Sequence, residues 1–221
     1  KNILLMTLHH LGENNSILNR FISEIRNISI QQDSMRFRRN IERIGEILSY
    51  ELSKELTYSS SEIKTPLGSK SILLPTDNIV LCSILRAGLP LHNGLLNYFD
   101  NAENAFVSAY RQQINESEFE IKIEYLATPE LEGKTLFLAD PMLASGRSLV
   151  DTYNALLKNG TPKDIHIICV IGSEIGIEYV KKHFPKNTHL WIAAIDQKLN
   201  DKGYIIPGLG DAGDLSYGSK L

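Results

Sequence analysis

Cysteine is scarce in this chain. Of 221 residues, two are cysteines, Cys82 and Cys169, and each sits in an apolar run, 80–85 and 165–171. Two isolated thiols on buried strands read as core residues and set aside a disulfide framework or a cysteine metal site. A charge excess of one sign is missing too. The 23 Lys and Arg stand against 26 Asp and Glu, a net charge of −3, so there is no electrostatic case for binding nucleic acid. No apolar run approaches the roughly 20 residues of a membrane span, and no signal-peptide pattern opens the chain. The expectation is a reduced, cytoplasmic setting with neither membrane nor nucleic acid as partner. Internal repeats and low-complexity linkers are absent as well. With 43% hydrophobic and 22% charged residues, the composition argues against disorder. The length suffices for one α/β domain with a full core, or one domain with a small appendage. A single domain over 1–221 is expected.

What is present is organised around residues 136–150. Leu136, Phe137, Leu138 and Ala139 form the kind of apolar run that fills a central strand buried on both faces. The run ends on a carboxylate, Asp140, and Pro141 forbids a further ladder bond there. Met142, Leu143, Ala144, Ser145, Gly146, Arg147 and Ser148 follow as a short loop. A helical pattern then runs from Leu149 through Tyr153 and Leu156 to Gly160. The first backbone N–H groups of such a helix have no partners and sit at the positive end of its dipole, a place that suits a phosphate. An acid at the strand end lies where open α/β sheets bind ligands. A plain connection capped by Ser is the other reading of the same residues. Residues 144–148 match neither the nucleophile elbow G-x-S-x-G nor a Walker loop.

Along the rest of the chain, residues 1–27 are apolar in part and broken by Gly12-Glu13-Asn14-Asn15. Ser16 is then expected to cap a short helix carrying Leu18, Phe21, Ile22 and Ile25. His9 and His10 are neighbours whose side chains point in different directions, which makes a poor chelate. Ser34 is expected to cap the clearest helix. Phe37, Ile41, Ile44 and Leu48 keep a 3.6-residue period there, while Arg36, Arg38, Arg39 and Arg43 take other faces as a solvated surface or a subunit contact. These elements make an N-terminal helical segment, 1–50. Residues 57–74 read as a hairpin arm turning at Pro66-Leu67-Gly68. An apolar strand at 78–85 precedes Arg86-Ala87-Gly88 and a helix through Leu91, Leu95 and Leu96. Residues 106–110 read as a strand ending in Arg111, 112–118 as a mobile polar loop able to close over a ligand, and 119–126 as a strand.

A turn at 128–133 leads into the central strand, and 165–171, 173–183 and 189–195 read as strand, helix and strand. Alternation of this kind implies a parallel sheet with right-handed crossovers. The tail at 204–214 is rich in Gly, which lets backbone approach a flat ligand closely; a surface loop is the alternative. His92, His166, His183 and His189 fall in helices or strands, where a structural role is favoured over a general base.

Three blocks together resemble one family: Ile84-Leu85-Arg86-Ala87-Gly88-Leu89, the loop from Asp140, and the tail at 204–214. Asp140-Pro141-Met142-Leu143-Ala144-Ser145-Gly146 is similar to the ribose-phosphate signature of uracil phosphoribosyltransferases. Tyr110-Arg111 and Ile195-Asp196-Gln197 resemble its minor signatures. The resemblance covers nearly the whole chain and is weakest before Ser34. It implies a type I phosphoribosyltransferase fold, an α/β architecture with a parallel sheet flanked by helices, a β-hairpin arm and a C-terminal base-binding hood at about 199–221. It also implies pyrimidine salvage, in which the 5-phosphoribosyl group of phosphoribosyl pyrophosphate (PRPP) passes to uracil, giving UMP and pyrophosphate. Mg²⁺ is expected to bind with PRPP, with no metal site built of protein ligands alone, and the enzyme is expected to be a homo-oligomer, a dimer or higher.

Carried over by position, the PRPP contacts are Arg86, Arg111, Asp140, Pro141, Met142, Leu143, Ala144, Ser145, Gly146, Arg147, Ser148 and Asp211, with Asp140 and Arg111 catalytic. The uracil contacts are Ile205, Gly210, Asp211 and Ala212. In this reading Asp140 accepts ribose hydroxyl protons, and loop N–H groups with the Ser145 and Ser148 hydroxyls bind the 5-phosphate. The guanidinium forks of Arg86 and Arg111 suit a pyrophosphate whose charge grows as it leaves an oxocarbenium-like centre, with uracil N1 aligned opposite.

The chain departs from the family pattern at Arg147, where Gly is usual, at Ser83, where Pro is usual, and at 215–219. Pro141 stands where other type I relatives have a second acid, as in this family. Arg147 is expected to start the helix with ordinary dihedrals, its side chain in solvent or bent onto the phosphate. Two other functions stay open: a nucleotide-sensing regulator of the same fold, and a phosphoribosyltransferase for another base.

Overall fold

The computed structural model describes residues 6–113 and 119–220, with side chains left aside over 109–121. In chain order, β1 (Thr7–His10) and a 3-10 turn lead into helices α1 (Leu18–Arg26) and α2 (Ser34–Ser53). The hairpin β2 (Tyr58–Thr65) and β3 (Gly68–Pro75) is followed by β4 (Ile79–Leu85), α3 (Gly88–Leu96), β5 (Glu103–Gln113), β6 (Phe119–Ala127) and β7 (Thr135–Ala139). Then come β8 (Met142–Leu143), α4 (Arg147–Leu156), β9 (Asp164–Ser173), α5 (Glu174–His183) and β10 (His189–Asp196). The small hairpin β11 (Lys198–Leu199) and β12 (Ile205–Ile206) and the short helix α6 (Ala212–Tyr217) complete the described chain.

Among the described residues the main sheet runs β1-β10-β9-β7-β4-β5-β6, with β8 alongside β9. Its unbroken apolar runs are covered on both faces, as parallel strands require. Along β7, Leu136 and Leu138 pack with Leu149, Tyr153, Ile177 and Val180 of α4 and α5. Phe137 and Ala139 pack on the opposite face with Phe37, Ile41 and Leu91 of α2 and α3. Within this sheet, among the described residues, the one antiparallel pair is β5 with β6, because the connection between them is too short for a parallel crossover.

Several local expectations change in the folded chain. Strand β1 lies within the segment expected to be helical and pairs in parallel with β10. His9 stacks on Trp191 with ring centroids 3.7 Å apart, and its Nε2 is 3.0 Å from Nδ1 of His189. Asp33, not Ser34, caps α2, accepting the Arg36 N–H at 3.1 Å; a carboxylate there also favours the helix dipole. Ser16 Oγ accepts the Leu18 N–H, with Ile17 in the cap position.

The arginines of α2 bind within the chain: Arg36 pairs with Glu24, Arg39 with Glu42, and Arg38 donates to the Ser216 carbonyl. Strand β5 continues through Gln112 and Gln113, because β6 supplies a ladder partner that polar side chains do not prevent. The rest of the expected mobile loop, 114–118, lies outside the described residues. The hairpin of β2 and β3 projects as an arm exposed along nearly its whole length.

Ser83, at the position where the family pattern has Pro, belongs to a buried polar chain. His92 Nε2 donates its N–H to Asn104 Oδ1 at 2.8 Å, which leaves Nδ1 to accept from the Ser83 hydroxyl at 2.8 Å. Asn104 Nδ2 in turn donates to the Ala102 carbonyl. Burial lowers the pKa of His92 and keeps the ring neutral, outweighing the opposing hydrogen bond to Asn104. Ser83→Ala strands a buried acceptor and is expected to lower stability by about 1–3 kcal/mol. A urea midpoint equal to that of the wild type would show that the chain carries no weight.

Candidate active site

A cavity of about 640 Å³ opens at the carboxyl ends of β4 and β7, beside Ser108 of β5. Asp140 stands at its base. Its N–H donates to the Ile168 carbonyl at 3.1 Å, so the ladder reaches one residue past β7. Pro141 then turns the chain, and Asp140 Oδ1 accepts the Met142 N–H at 3.1 Å. Burial raises the Asp140 carboxyl from 3.8 to about 7, against the opposing pull of the Met142 N–H.

The loop after β8 is seated on the start of α5 by two close approaches. Gly146 has φ +79°, and a Cβ there would meet the Gly176 carbonyl at 3.0 Å. A Cβ on Gly176 would come within 2.3 Å of the Ala144 carbonyl, which also accepts Ser173 Oγ at 2.6 Å. The left-handed residue is therefore Gly146, where a side chain would cost about 1–2 kcal/mol.

Arg147 has no such strain: no residue other than glycine has positive φ among the described residues. It begins α4 with its side chain exposed; one turn on, burial raises the pKa of Asp151, and the Arg147 charge opposes that rise in part. The first bond of α4 runs from the Val150 N–H to the Gly146 carbonyl, so the N–H groups of Ser148 and Leu149 stand in the unpaired first turn.

Arg86 follows β4 on the neighbouring strand end. Its Nη2 donates to Asp214 Oδ1 and to the Gly218 carbonyl, each at 3.1 Å. The facing wall is the segment from β12 to α6. It is anchored by Asp196, which takes Arg26 through both oxygens at 2.7 and 3.0 Å and the Gly208 N–H at 3.0 Å. Gln31 adds a bond to the Leu209 carbonyl. Asp211 caps α6 through the Asp214 N–H at 2.9 Å, and its other oxygen lies 3.4 Å from Lys220 Nζ.

The fold thus brings Arg86, Asp140, Met142, Ala144 and Ser148 into one cavity with Ile205, Gly210, Asp211 and Ala212. The other loop residues do not line it. Pro141, Leu143 and Gly146 are buried, and Ser145 Oγ turns back to the Arg147 N–H. Arg111 lies within β5, and its side chain is outside the description. Ser108, Tyr204 and Lys220 also line the cavity. Tyr204 lay within the Gly-rich tail, but Ser108 and Lys220 carried no signal of their own beyond a polar side chain. Among the described residues no group of three His, Cys, Asp or Glu side chains is placed to hold a metal ion, and no helix is long and apolar enough to cross a membrane.

Residues 13–219 match the family model described as uracil phosphoribosyltransferase. The uracil phosphoribosyltransferase of Porphyromonas gingivalis is 52% identical over 216 residues, covering 98% of this chain and 100% of that protein. That of Thermococcus gammatolerans is 38% identical over 192 residues, 86% of this chain and 84% of its own. The solved structure of the AQ2163 protein from Aquifex aeolicus is 32% identical and superimposes with a TM-score of 0.86, covering 97% of this chain and 100% of that one. A hypoxanthine phosphoribosyltransferase from Staphylococcus aureus, 13% identical with a TM-score of 0.52 over 84% of this chain and 83% of its own, shares the fold.

Asp140, half-buried on the cavity wall, makes a prediction about stability. Its folded pKa is raised, so its contribution to stability is full below pH 3.8 and is lost as pH rises through about 7. Asp140→Asn is therefore expected to be more stable than the wild type above pH 7, by on the order of 1–3 kcal/mol. The difference should shrink toward pH 4. Melting curves from pH 4 to pH 9 that keep a constant gap would exclude this account.

Proposed function

Because this chain belongs to the uracil phosphoribosyltransferase family, we propose that its cavity transfers the 5-phosphoribosyl group of PRPP to uracil, giving UMP and pyrophosphate in pyrimidine salvage. The fold is that of type I phosphoribosyltransferases. One observation carries the assignment of the site. A carboxylate and an unpaired helix N-terminus lie on one wall, and Ile205 with the backbone at Gly210, Asp211 and Ala212 lies on the other. The first wall suits a ribose 5-phosphate and the second the polar edge of a flat base.

In this reading Asp140 accepts hydrogen bonds from the ribose hydroxyls, while Ser148 and the first N–H groups of α4 hold the 5-phosphate. Arg86 and Arg111 bind the pyrophosphate, whose negative charge grows as the anomeric bond breaks. Main-chain groups of Ile205, Gly210 and Ala212 orient the base so that N1 faces the anomeric carbon as pyrophosphate departs. Asp211 holds the start of α6 and faces the donor.

Mg²⁺ fits this donor set. Asp140 and Asp211 offer oxygen ligands in one cavity, and Mg²⁺ takes one or two carboxylates with substrate phosphates. When bound, it would neutralise pyrophosphate charge.

The segment from about 199 to 221 then acts as the hood over the base, and the arm serves assembly. An isolated two-stranded hairpin is marginal in water, yet this one exposes Tyr58, Ile72, Leu73 and Leu74. We infer that it packs against a second copy in a homo-oligomer. The free, buried thiols of Cys82 and Cys169 suit the reducing cytoplasm.

Uracil should be the preferred base in a panel with hypoxanthine, xanthine and orotate; faster turnover of a purine would overturn the assignment. A carboxylate, not a carboxylic acid, must meet the ribose. kcat/KM for PRPP is therefore expected to rise with pH through about 7 as Asp140 ionises. Asp140→Asn should remove this limb and lower kcat/KM by roughly 10- to 150-fold, the worth of a charge-assisted bond at about 1.5–3 kcal/mol. An unchanged profile in the variant would assign the limb to another group.

A further inference from the structure

Arg86 reaches the cavity from a half-exposed position, with 39% of its side chain accessible. A long side chain in that setting is free to wander unless something holds it. We infer that Asp214 is a positioning residue: with the Gly218 carbonyl it grips one guanidinium nitrogen of Arg86 from behind and aims the rest of the fork at the leaving pyrophosphate. The inference rests on the PRPP reading of the cavity.

Three observations carry it. Nη2 of Arg86 is the atom engaged, by Asp214 Oδ1 and the Gly218 carbonyl, and Nε and Nη1 make no hydrogen bond among the described residues. The fork therefore keeps donors for a ligand while its orientation is set. Secondly, Asp214 lines a neighbouring cavity of about 290 Å³ and does not line the one that holds Asp140. Its carboxylate meets the site through Arg86; its backbone N–H also donates to Asp211 Oδ1, a bond that a side-chain substitution leaves in place. Thirdly, the tail that supplies the Gly218 carbonyl is itself fixed. The Gly218 N–H donates to the Asp214 carbonyl at 2.9 Å, and Arg38 donates to the Ser216 carbonyl at 2.6 Å with its guanidinium over the Tyr217 ring. Both acceptors of Nη2 thus belong to one short unit docked on α2.

A carboxylate beside Arg86 has a second consequence of opposite sign, since it partly cancels the charge that attracts pyrophosphate. Two variants separate the effects. Asn at 214 keeps an oxygen acceptor and removes the charge; Ala removes both. If Asp214 positions Arg86, Asp214→Ala raises the KM for PRPP roughly 5- to 10-fold, as a lost orienting bond would. The KM for uracil stays within about two-fold, and Asp214→Asn remains near the wild type. In an Arg86→Ala background, adding Asp214→Ala then changes nothing further.

Tighter PRPP binding in both variants would mean that Asp214 opposes the donor, and the inference fails. It also fails if Asp214→Ala weakens PRPP equally with and without Arg86, or if the variant behaves as the wild type while Arg86→Ala is impaired. Should Arg86→Ala itself bind PRPP normally, the donor-site assignment falls and takes the inference with it. Melting temperatures of each variant confirm that the comparison is between folded proteins.

Discussion

The reversal of strand order between β4 and β7 is the constraint on which the rest depends. From β4 the chain crosses by α3 to β5 on one side, and from β7 by α4 to β9 on the other. Right-handed crossovers in opposite directions place the two helices on opposite faces of the sheet. The loops leaving β4 and β7 therefore diverge, and a crevice opens at their carboxyl ends. The two strands are paired in register as far as Ser83 and Ala139, so Arg86 and Asp140 stand at the mouths of neighbouring strands. The cation proposed for the leaving group and the carboxylate proposed for the sugar stand side by side because of that single topological feature.

Holding the site shut on its other side falls to a different device. Asp196 ends β10, is 8% exposed, and joins Arg26 of α1 to the Gly208 backbone. Breaking one partner of such a buried pair typically costs about 3–5 kcal/mol, whereas the intact pair adds little net stability. Its value here is geometric: it ties an N-terminal helix, the last core strand and the segment that follows β12 together. Asp140 shows the opposite compromise. Its carboxyl lies on the cavity wall, where desolvation favours the neutral form, although the sugar it is proposed to meet needs a charged acceptor.

Local chemistry alone determined much of this protein. The apolar run of β7, the 3.6-residue period of α2 and the Pro66-Leu67 turn each act over a few positions, and each became the element that its pattern implied; of the loop expected after Asp140, Met142 and Leu143 instead pair with β9 as β8, and Arg147 and Ser148 already belong to α4. Arg147 is a further case: with Gly146 taking the left-handed conformation, the next residue was free to be large. Packing decided the rest. Strand β1 exists because β10 offers an edge and Trp191 a surface for His9. The polar end of β5 stays extended because β6 pairs with it. Ser83 is tolerated because His92 and Asn104 complete its hydrogen bonding. Arg86 and Asp214 lie 128 positions apart, and no pattern along the chain records their meeting. Periodicity and turn residues report backbone conformation, which is set within a turn or two. Which side chains share a cavity is set by how whole elements stack, and that is a property of the tertiary structure alone.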